Sequence, residues 1–259
     1  MMNKDLVSII TPTYNSMSYI EDTYESIKNQ QYEQWEWLIT DDCSIDDTWE
    51  YLQDIAKDDD RIKIFQNKTN SGAAISRNNS ISHANGDFIA FLDSDDIWLP
   101  EKLVKHLEFM NKNSLDLSFT SYYLIDESGA SLNRIVDANC SGGYSYQDML
   151  KKRATMGCCT VIVRTSAFND LSMPLVWAGQ DYALWLKLLK TGANAVIFNK
   201  PLSKYRIVSN SLSRNKYKKA LRIWHIYRNV ERLNLFKASI VFCHYAIKAF
   251  LKLNEHRVE

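Results

Sequence analysis

No apolar run in this chain reaches the roughly eighteen residues needed to span a bilayer, which excludes a helical membrane span. Cysteine is sparse. The five present include an adjacent pair, Cys158 and Cys159, and show neither disulfide nor metal-ligand spacing, which points to a reducing compartment. The five histidines (His83, His106, His225, His244 and His256) are scattered without ligand spacing and are assigned no role. No G-x-G-x-x-G follows the first apolar strand, which argues against a dinucleotide-binding oxidoreductase. There is no internal repeat and no low-complexity linker. The N-terminus, M-M-N-K-D-L-V-S-I-I, enters a strand at once without the layout of a signal peptide, so the expectation is a cytoplasmic protein.

Net charge is also absent: 31 Lys and Arg balance 31 Asp and Glu. The balance hides an asymmetry. From Arg214 to Glu259 eleven Lys or Arg face three Glu, a charge of +8, so the preceding 213 residues carry −8. A body of that sign is a poor partner for nucleic acid, whereas the basic tail suits an anionic surface.

What is present is a regular alternation. Leu6–Ile10, Trp35–Thr40, Ile62–Phe65 and Phe88–Leu92 are short apolar runs of the kind buried on both faces of a parallel sheet. Helices are expected between them: Met17–Gln30 with Ser16 as N-cap, a helix to Lys57 opened by a capping box at Ser44–Asp47, and Ala73–His83 entered through Gly72. Such strand–helix alternation implies right-handed crossovers and an α/β fold. Further on, Pro100 starts a helix carrying Leu103, Leu107 and Met110 on one face. Leu117–Ile125 reads as one strand, Asp126–Gly129 as a turn, and Cys159–Val163 as another strand. Gln180–Lys190 reads as an amphipathic helix stopped by Thr191-Gly192, and Ala195–Phe198 and Leu202–Arg206 as the last strands. Beyond Asn215 a basic helical tail carries the stripe Ile223, Tyr227, Val230 and an uncharged segment, Ala238–Ile247, too short to span a membrane.

The run Phe88–Leu92 ends in Asp93, Ser94, Asp95 and Asp96. Carboxylates crowded at a strand's carboxyl end repel one another unless a cation or solvent relieves them, and that edge is where α/β sheets bind ligands. Oxygen ligands there suit Mg2+ or Mn2+, with phosphates as companions. A helix-capping role toward Pro100 is the structural alternative.

Several segments taken in order carry a resemblance: T-P-T-Y-N-S, D-D-C-S-I-D-D, S-G-A-A-I-S-R-N, F-L-D-S-D-D and G-Q-D-Y-A-L-W-L-K-L. Together they resemble the family 2 inverting glycosyltransferases, over about Leu6 to Ser213. The nearest likeness is to bacterial enzymes building teichuronic acid or O-antigen polysaccharides. The resemblance implies a GT-A nucleotide-sugar-binding fold over residues 1–213, with a nucleotide-binding half (1–98) and an acceptor and catalytic half (99–213), followed by the tail 214–259.

It also implies roles. Thr11, Pro12 and Tyr14 would line the base and ribose pocket, and Asp42 would accept a hydrogen bond from uracil. Arg77 would lie near the nucleotide, unless it is a solvated helix arginine. Asp95 would bind Mn2+ or Mg2+ directly, with Asp93 on the ribose or reaching the metal through water. Ser94, in the same loop, would contact the substrate, and Asp96 would orient the loop or contact the sugar. Asp181 would be the general base, although an aspartate there also suits the first turn of a helix. Gln180 stands where many relatives carry glutamate and would donate to sugar or acceptor. Val208 stands where relatives often carry histidine, so Arg206, Ser211 and Arg214 are candidates for the phosphates.

The expected activity is therefore metal-dependent, inverting transfer from a UDP-sugar to a hydroxyl of a glycan acceptor, with a lipid-linked oligosaccharide as the expected acceptor. A nucleotidyltransferase is the rival enzyme, but T-P-T-Y-N-S is neither basic nor glycine-rich; a non-catalytic nucleotide-sugar-binding scaffold is the other. The tail is expected either at the membrane surface or packed on its own domain or on a second subunit, as in a homodimer.

Overall fold

The computed structural model describes residues 5–208 and 216–254. Strand and helix alternate at first as β1 (Val7–Thr13), α1 (Ile20–Lys28), β2 (Trp35–Asp41), α2 (Thr48–Asp58), β3 (Ile62–Gln66), α3 (Ala73–Ser82) and β4 (Phe88–Phe91). The middle of the chain supplies β5 (Ile97–Trp98), α4 (Lys102–Lys112), β6 (Leu117–Thr120), β7 (Tyr122–Ile125), β8 (Ser131–Val136), β9 (Gly143–Tyr144) and α5 (Tyr146–Leu150). It closes with β10 (Ile162–Arg164), α6 (Gln180–Leu189), β11 (Ala195–Phe198), β12 (Ser203–Arg206), α7 (Lys216–His225), a π-helical turn at Ile226–Val230, and α8 (Leu235–Asn254).

Eight strands form the main sheet in the order β3-β2-β1-β4-β10-β6-β11-β9, and β5-β12-β7-β8 form a smaller one. The pairs β3–β2, β2–β1 and β1–β4 are parallel, as the crossover helices require, whereas β10 runs antiparallel to both its neighbours. Side chains alternate across this sheet. Val7, Ile9, Trp37, Ile39, Phe88 and Ala90 face α1, α2 and α4, and Ile10, Leu38, Ile89 and Phe91 face the layer containing α3 and α6. The continuously apolar runs are thus central strands covered on both faces, each fully buried large side chain contributing about 1.5–3 kcal/mol.

Four local expectations are corrected. Leu117–Ile125 is not one strand: Ser121, fully buried, divides it, so β6 joins the main sheet and β7 the smaller one. Ser44–Asp47 forms no capping box. Ser44 turns back onto Asp41, while Asp46 caps Thr48 through its backbone N–H and hydroxyl at 3.1 and 2.5 Å. A capping box does occur at Ser145 and Asp148, opening α5. Helix α1 begins later than expected because the Ser16 carbonyl accepts from Tyr19 and Ile20 in a preceding turn, and the first half of Cys159–Val163 is a helical turn rather than strand.

The tail packs on the body. Ile223, Ile226, Tyr227, Ala238, Val241 and Tyr245 are buried in the same core as α6, and Glu231 pairs with Lys190 at 2.6 Å. The expected apolar stripe therefore faces the chain's own domain.

One polar cluster is enclosed between α4 and the main sheet. Lys102 is fully buried, donating to the Thr160 carbonyl at 2.8 Å and lying 3.0 Å from His106 Nδ1, while His106 Nε2 meets Ser118 Oγ at 2.9 Å. Burial lowers the Lys102 ammonium to about 7 and holds the imidazole well below its usual value. A folded-state pKa depressed below the unfolded one confers stability that is complete above the unfolded value and is lost as pH falls. Between pH about 7 and 10 each unit of rising pH should therefore add up to about 1.4 kcal/mol from this lysine. Urea titrations of wild type and Lys102→Met across that range check this: the variant should lose that slope, and parallel profiles would refute the assignment.

Candidate active site

The carboxyl ends of β1, β2 and β4 converge on one edge. Strand β1 continues past the end of β4, so Pro12 pairs only with Thr40 of β2 and its missing N–H disrupts no ladder to β4. Tyr14 emerges from this end 45% exposed, available to a ligand. Thr11 departs from the expectation. It is fully buried, its hydroxyl donates to the Leu92 carbonyl at 2.7 Å and accepts from Trp37 Nε1 at 2.8 Å, so the side chain ties strands together and faces no pocket.

Asp42, just beyond β2, is 4% exposed and organises the entry to α3. Its Oδ1 accepts from Asn67 Nδ2 at 2.7 Å and Ser71 N at 2.8 Å, and its Oδ2 from Gly72 N at 2.7 Å. Gly72 holds φ +89°, a left-handed geometry that glycine adopts without strain. The carboxylate thus binds the segment before α3, and Oδ2 keeps capacity for a further donor.

Helix α3 in turn delivers Arg77. It is no solvated helix arginine: it is 7% exposed and ion-paired with Asp93, with Nη1 3.9 Å from Met173 Sδ. Burial alone would favour the neutral form, but Asp93, and more weakly Asp181, hold the guanidinium pKa above its ordinary value. Its Nε is buried without a hydrogen bond.

The four residues after Leu92 have four different environments. Asp93 answers Arg77. Ser94 meets Ser16 Oγ at 2.8 Å, pinning the loop to the start of α1. Asp95 has no side-chain donor paired with it among the described residues, and burial with the neighbouring Asp93 charge raises its carboxyl to about 6. Asp96 is fully buried and cannot contact a sugar. Its Oδ1 accepts from Arg206 N at 2.9 Å, its Oδ2 is without a hydrogen bond, and burial with the Asp95 charge raises it well above the ordinary range. Of the two roles expected for Asp96, orienting the loop is the one the geometry allows.

Arg206 is likewise not a free phosphate ligand. It is 3% exposed, and its guanidinium donates to the Asp95 carbonyl, the Glu127 carbonyl and Asp22 Oδ2 at 2.9, 2.9 and 2.7 Å. It straps the smaller sheet to the acidic loop. Val208 closes the first described segment, and Ser211 and Arg214 lie outside the described residues.

Asp181 stands in the first turn of α6, after Gly179 in a left-handed conformation. It lines a cavity of about 280 Å3 together with Asp93. Both carboxylates act on the buried thiol of Cys158, which burial above all pushes well up, so this cysteine is a neutral wall and not a nucleophile; Cys159 is equally raised and buried. Gln180 turns away from Asp181's cavity, donating to the Val176 carbonyl at 3.1 Å and lining a groove of about 440 Å3 with Gly72, Ile75 and Trp177.

Asp95, with Asp93 beside it, fits a divalent cation: both supply oxygen donors, and Asp95 has a raised carboxyl and no competing side-chain partner among the described residues. No cluster of three or more metal-ligating side chains occurs among the described residues, so remaining ligands would come from substrate phosphates and water, as is usual for Mg2+.

Residues beyond the expected set complete the site. Asn78 forms a reciprocal pair with Met173, Nδ2 to the carbonyl at 3.0 Å and N–H to Oδ1 at 2.6 Å, which fastens the segment leading to Trp177 and Gln180 over α3. Asn67 supports Asp42, and Lys152, Lys219 and Arg222 share the Asp181 cavity. Asn78 sits inside the recognisable S-R-N segment, but nothing in spacing joins it to a loop 95 positions away.

Comparison with known proteins agrees with this geometry. The profile described as Glycosyl transferase family 2 matches residues 8–171. TuaG of Bacillus subtilis (strain 168), a glycosyltransferase named for teichuronic acid biosynthesis, is 44% identical over 249 residues, covering 96% of this chain and 98% of TuaG. The Escherichia coli UDP-Glc:alpha-D-GlcNAc-diphosphoundecaprenol beta-1,3-glucosyltransferase WfgD is 37% identical over 226 residues, 87% of this chain and 86% of WfgD. Among solved structures, S. aureus TarS 1-349 in complex with UDP-GlcNAc superposes with a TM-score of 0.71 at 20% identity, over 93% of this chain and 71% of that one. The mannosyltransferase PcManGT from Pyrobaculum calidifontis, in complex with GDP-Man and Mn2+, gives 0.69 at 15% identity, over 100% and 77%. The α/β architecture is the expected GT-A fold, and the chain belongs to glycosyl transferase family 2.

Proposed function

We propose that this glycosyltransferase is metal-dependent and inverting, moving a sugar from a UDP-sugar to a hydroxyl of a lipid-linked glycan during bacterial surface-polysaccharide synthesis. The observation that carries the reading is the shared cavity of Asp93 and Asp181, with Asp95 two residues further along the same loop as Asp93. The names of TuaG and WfgD support the polysaccharide and lipid-diphosphate acceptor, and TarS bound to UDP-GlcNAc and PcManGT bound to Mn2+ support the donor and the ion.

In this reading Tyr14 and Asp42 receive the base, and Arg77 holds Asp93 in place beside the ribose. Asp95, with Asp93 beside it, would hold a Mn2+ or Mg2+ ion, which would supply Lewis-acid neutralisation of the diphosphate. Asp181 accepts the proton of the acceptor hydroxyl as its oxygen attacks the anomeric carbon. The new carbon–oxygen bond forms on the face opposite the breaking bond to phosphate, UDP leaves with that electron pair, and the configuration inverts. Gln180 cannot replace the base because an amide does not take up a proton at neutral pH, but from its groove it can orient the sugar.

The tail's second surface supports a peripheral membrane contact. With its inner face buried, α8 still presents Phe236 (77% exposed), Ile240, Cys243 and Ile247 (57% exposed) along one outer stripe, near Lys237 and Lys248. No helix is long and apolar enough to cross a membrane among the described residues, so the stripe would lie in the interface.

Two measurements test these proposals. UDP release from a panel of UDP-sugars, with Mn2+ and a lipid-linked acceptor extract, should fall at least about a hundredfold in Asp95→Ala and in Asp181→Asn, with UDP binding kept in the latter. The apparent affinity for Mn2+ should rise with pH up to about 6 and then level off, because ligation needs the Asp95 carboxylate and the cation must displace its proton. UDP binding without turnover on any acceptor would overturn catalysis in favour of a nucleotide-sugar-binding scaffold. For the membrane contact, the triple substitution Phe236→Ser, Ile240→Ser, Ile247→Ser should abolish sedimentation with phosphatidylethanolamine–phosphatidylglycerol vesicles while leaving the melting temperature unchanged. Full-length variants are needed, since truncation would remove core side chains. Undiminished sedimentation would refute the contact, and a change from dimer to monomer in light scattering without a change in sedimentation would assign the stripe to a homodimer.

A further inference from the structure

The cavity entered by Asp93 and Asp181 is lined by more positive than negative side chains. Lys152 comes from the segment after α5, and Lys219 and Arg222 come from α7, beside Tyr245 of α8. The fold holds these cations in place. Ile223 and Ile226 are buried in the core, which fixes α7 against the start of α6. Gly179, two residues before Asp181, has φ +78°, and a Cβ added there would lie 2.9 Å from Arg222 Cδ and 3.2 Å from Ile226 Cδ1. The Arg222 guanidinium sits 5.6 Å from the Trp177 ring centre, and the Lys152 ammonium 4.8 Å from that of Tyr245. Of the two carboxylates that line the cavity, Asp93 is ion-paired with Arg77.

The position of the cations says which substrate they meet. A cavity lined by the group that deprotonates the acceptor is where the acceptor must enter. Asp95, the residue suited to the ion that accompanies the donor diphosphate, is not among its walls. We propose that Lys152, Lys219 and Arg222 form a subsite for a phosphate or diphosphate borne by the acceptor glycan, so that the enzyme recognises a sugar by the anionic group that carries it. Lysine and arginine donors make charge-assisted hydrogen bonds to phosphate oxygens, and the enclosing tyrosine rings limit their screening by solvent. This deepens the acceptor assignment above and rests on Asp181 acting as base.

The test compares two acceptors of the same sugar: its alkyl glycosyl diphosphate and its alkyl glycoside without the diphosphate. Wild type should favour the diphosphate in kcat/KM by at least about tenfold. Lys219→Ala should raise KM for the diphosphate acceptor about tenfold and leave the KM for the glycoside and the Kd for UDP where they were, whereas Lys219→Arg should keep most of the preference. Lys152→Ala, on a different element, should act in the same direction. Equal losses on both acceptors, a weakened Kd for UDP in Lys219→Ala, or no wild-type preference between the acceptors would each overturn the subsite, as would a wild type that turns over neither. A wild type that binds no UDP would overturn the underlying glycosyl-transfer reading instead.

Discussion

A buried arginine facing a strand-end aspartate governs this site. Arg77 is delivered by α3, Asp93 by β4, and each would be costly in its place without the other, since removing one member of a buried pair leaves an uncompensated charge that costs about 3–5 kcal/mol. The pair also divides labour within the acidic loop. With Asp93 answered by Arg77 and Asp96 turned inward to the backbone of Arg206, Asp95 is left as the carboxylate of the loop with no side-chain partner among the described residues, raised by burial and by its neighbour. A divalent cation relieves that arrangement better than a proton does at neutral pH. The loop can therefore be built into the fold before any ligand arrives and still favour binding one.

Much of this was legible in the residues, for identifiable reasons. Strands such as Ala195–Phe198 and helices such as Gln180–Leu189 were recognisable because burial on both faces, or on one helical face, leaves a periodic apolar signature. Asp93, Asp95 and Asp181 were recognisable as strand-end and helix-start carboxylates within ordered family segments. What escaped depended on partners distant in the chain. Thr11 and Arg206 looked available, but Leu92, Trp37, Glu127 and Asp22 engage them, and no local pattern announces those contacts. Likewise Leu117–Ile125 is apolar throughout, and only the switch between sheets at Ser121 divides it.

The basic tail shows how composition can be read correctly and placed incompletely. Its positive charge is real, and so is its apolar stripe, but the stripe packs on the chain's own core and brings α7 against the start of α6. The segment is consequently part of the wall around Asp181. Its charge has two distinct destinations, the cavity through Lys219 and Arg222, and the outer surface through Lys237 and Lys248.

The division at Ser121 limits how the molecule can move. The smaller sheet is joined to the larger one by four short covalent links: the acidic loop between β4 and β5, the single residue between β6 and β7, residues 137–142 between β8 and β9, and residues 199–202 between β11 and β12. Arg206 adds a non-covalent strap from β12 to the same loop. Four links that short leave no hinge between the sheets, so the sheets act as one rigid frame and the acidic loop cannot be opened by swinging them apart. Any closing over bound substrate has to come from surface segments such as the one carrying Leu175 and Trp177, and the metal-binding edge itself behaves as a fixed template.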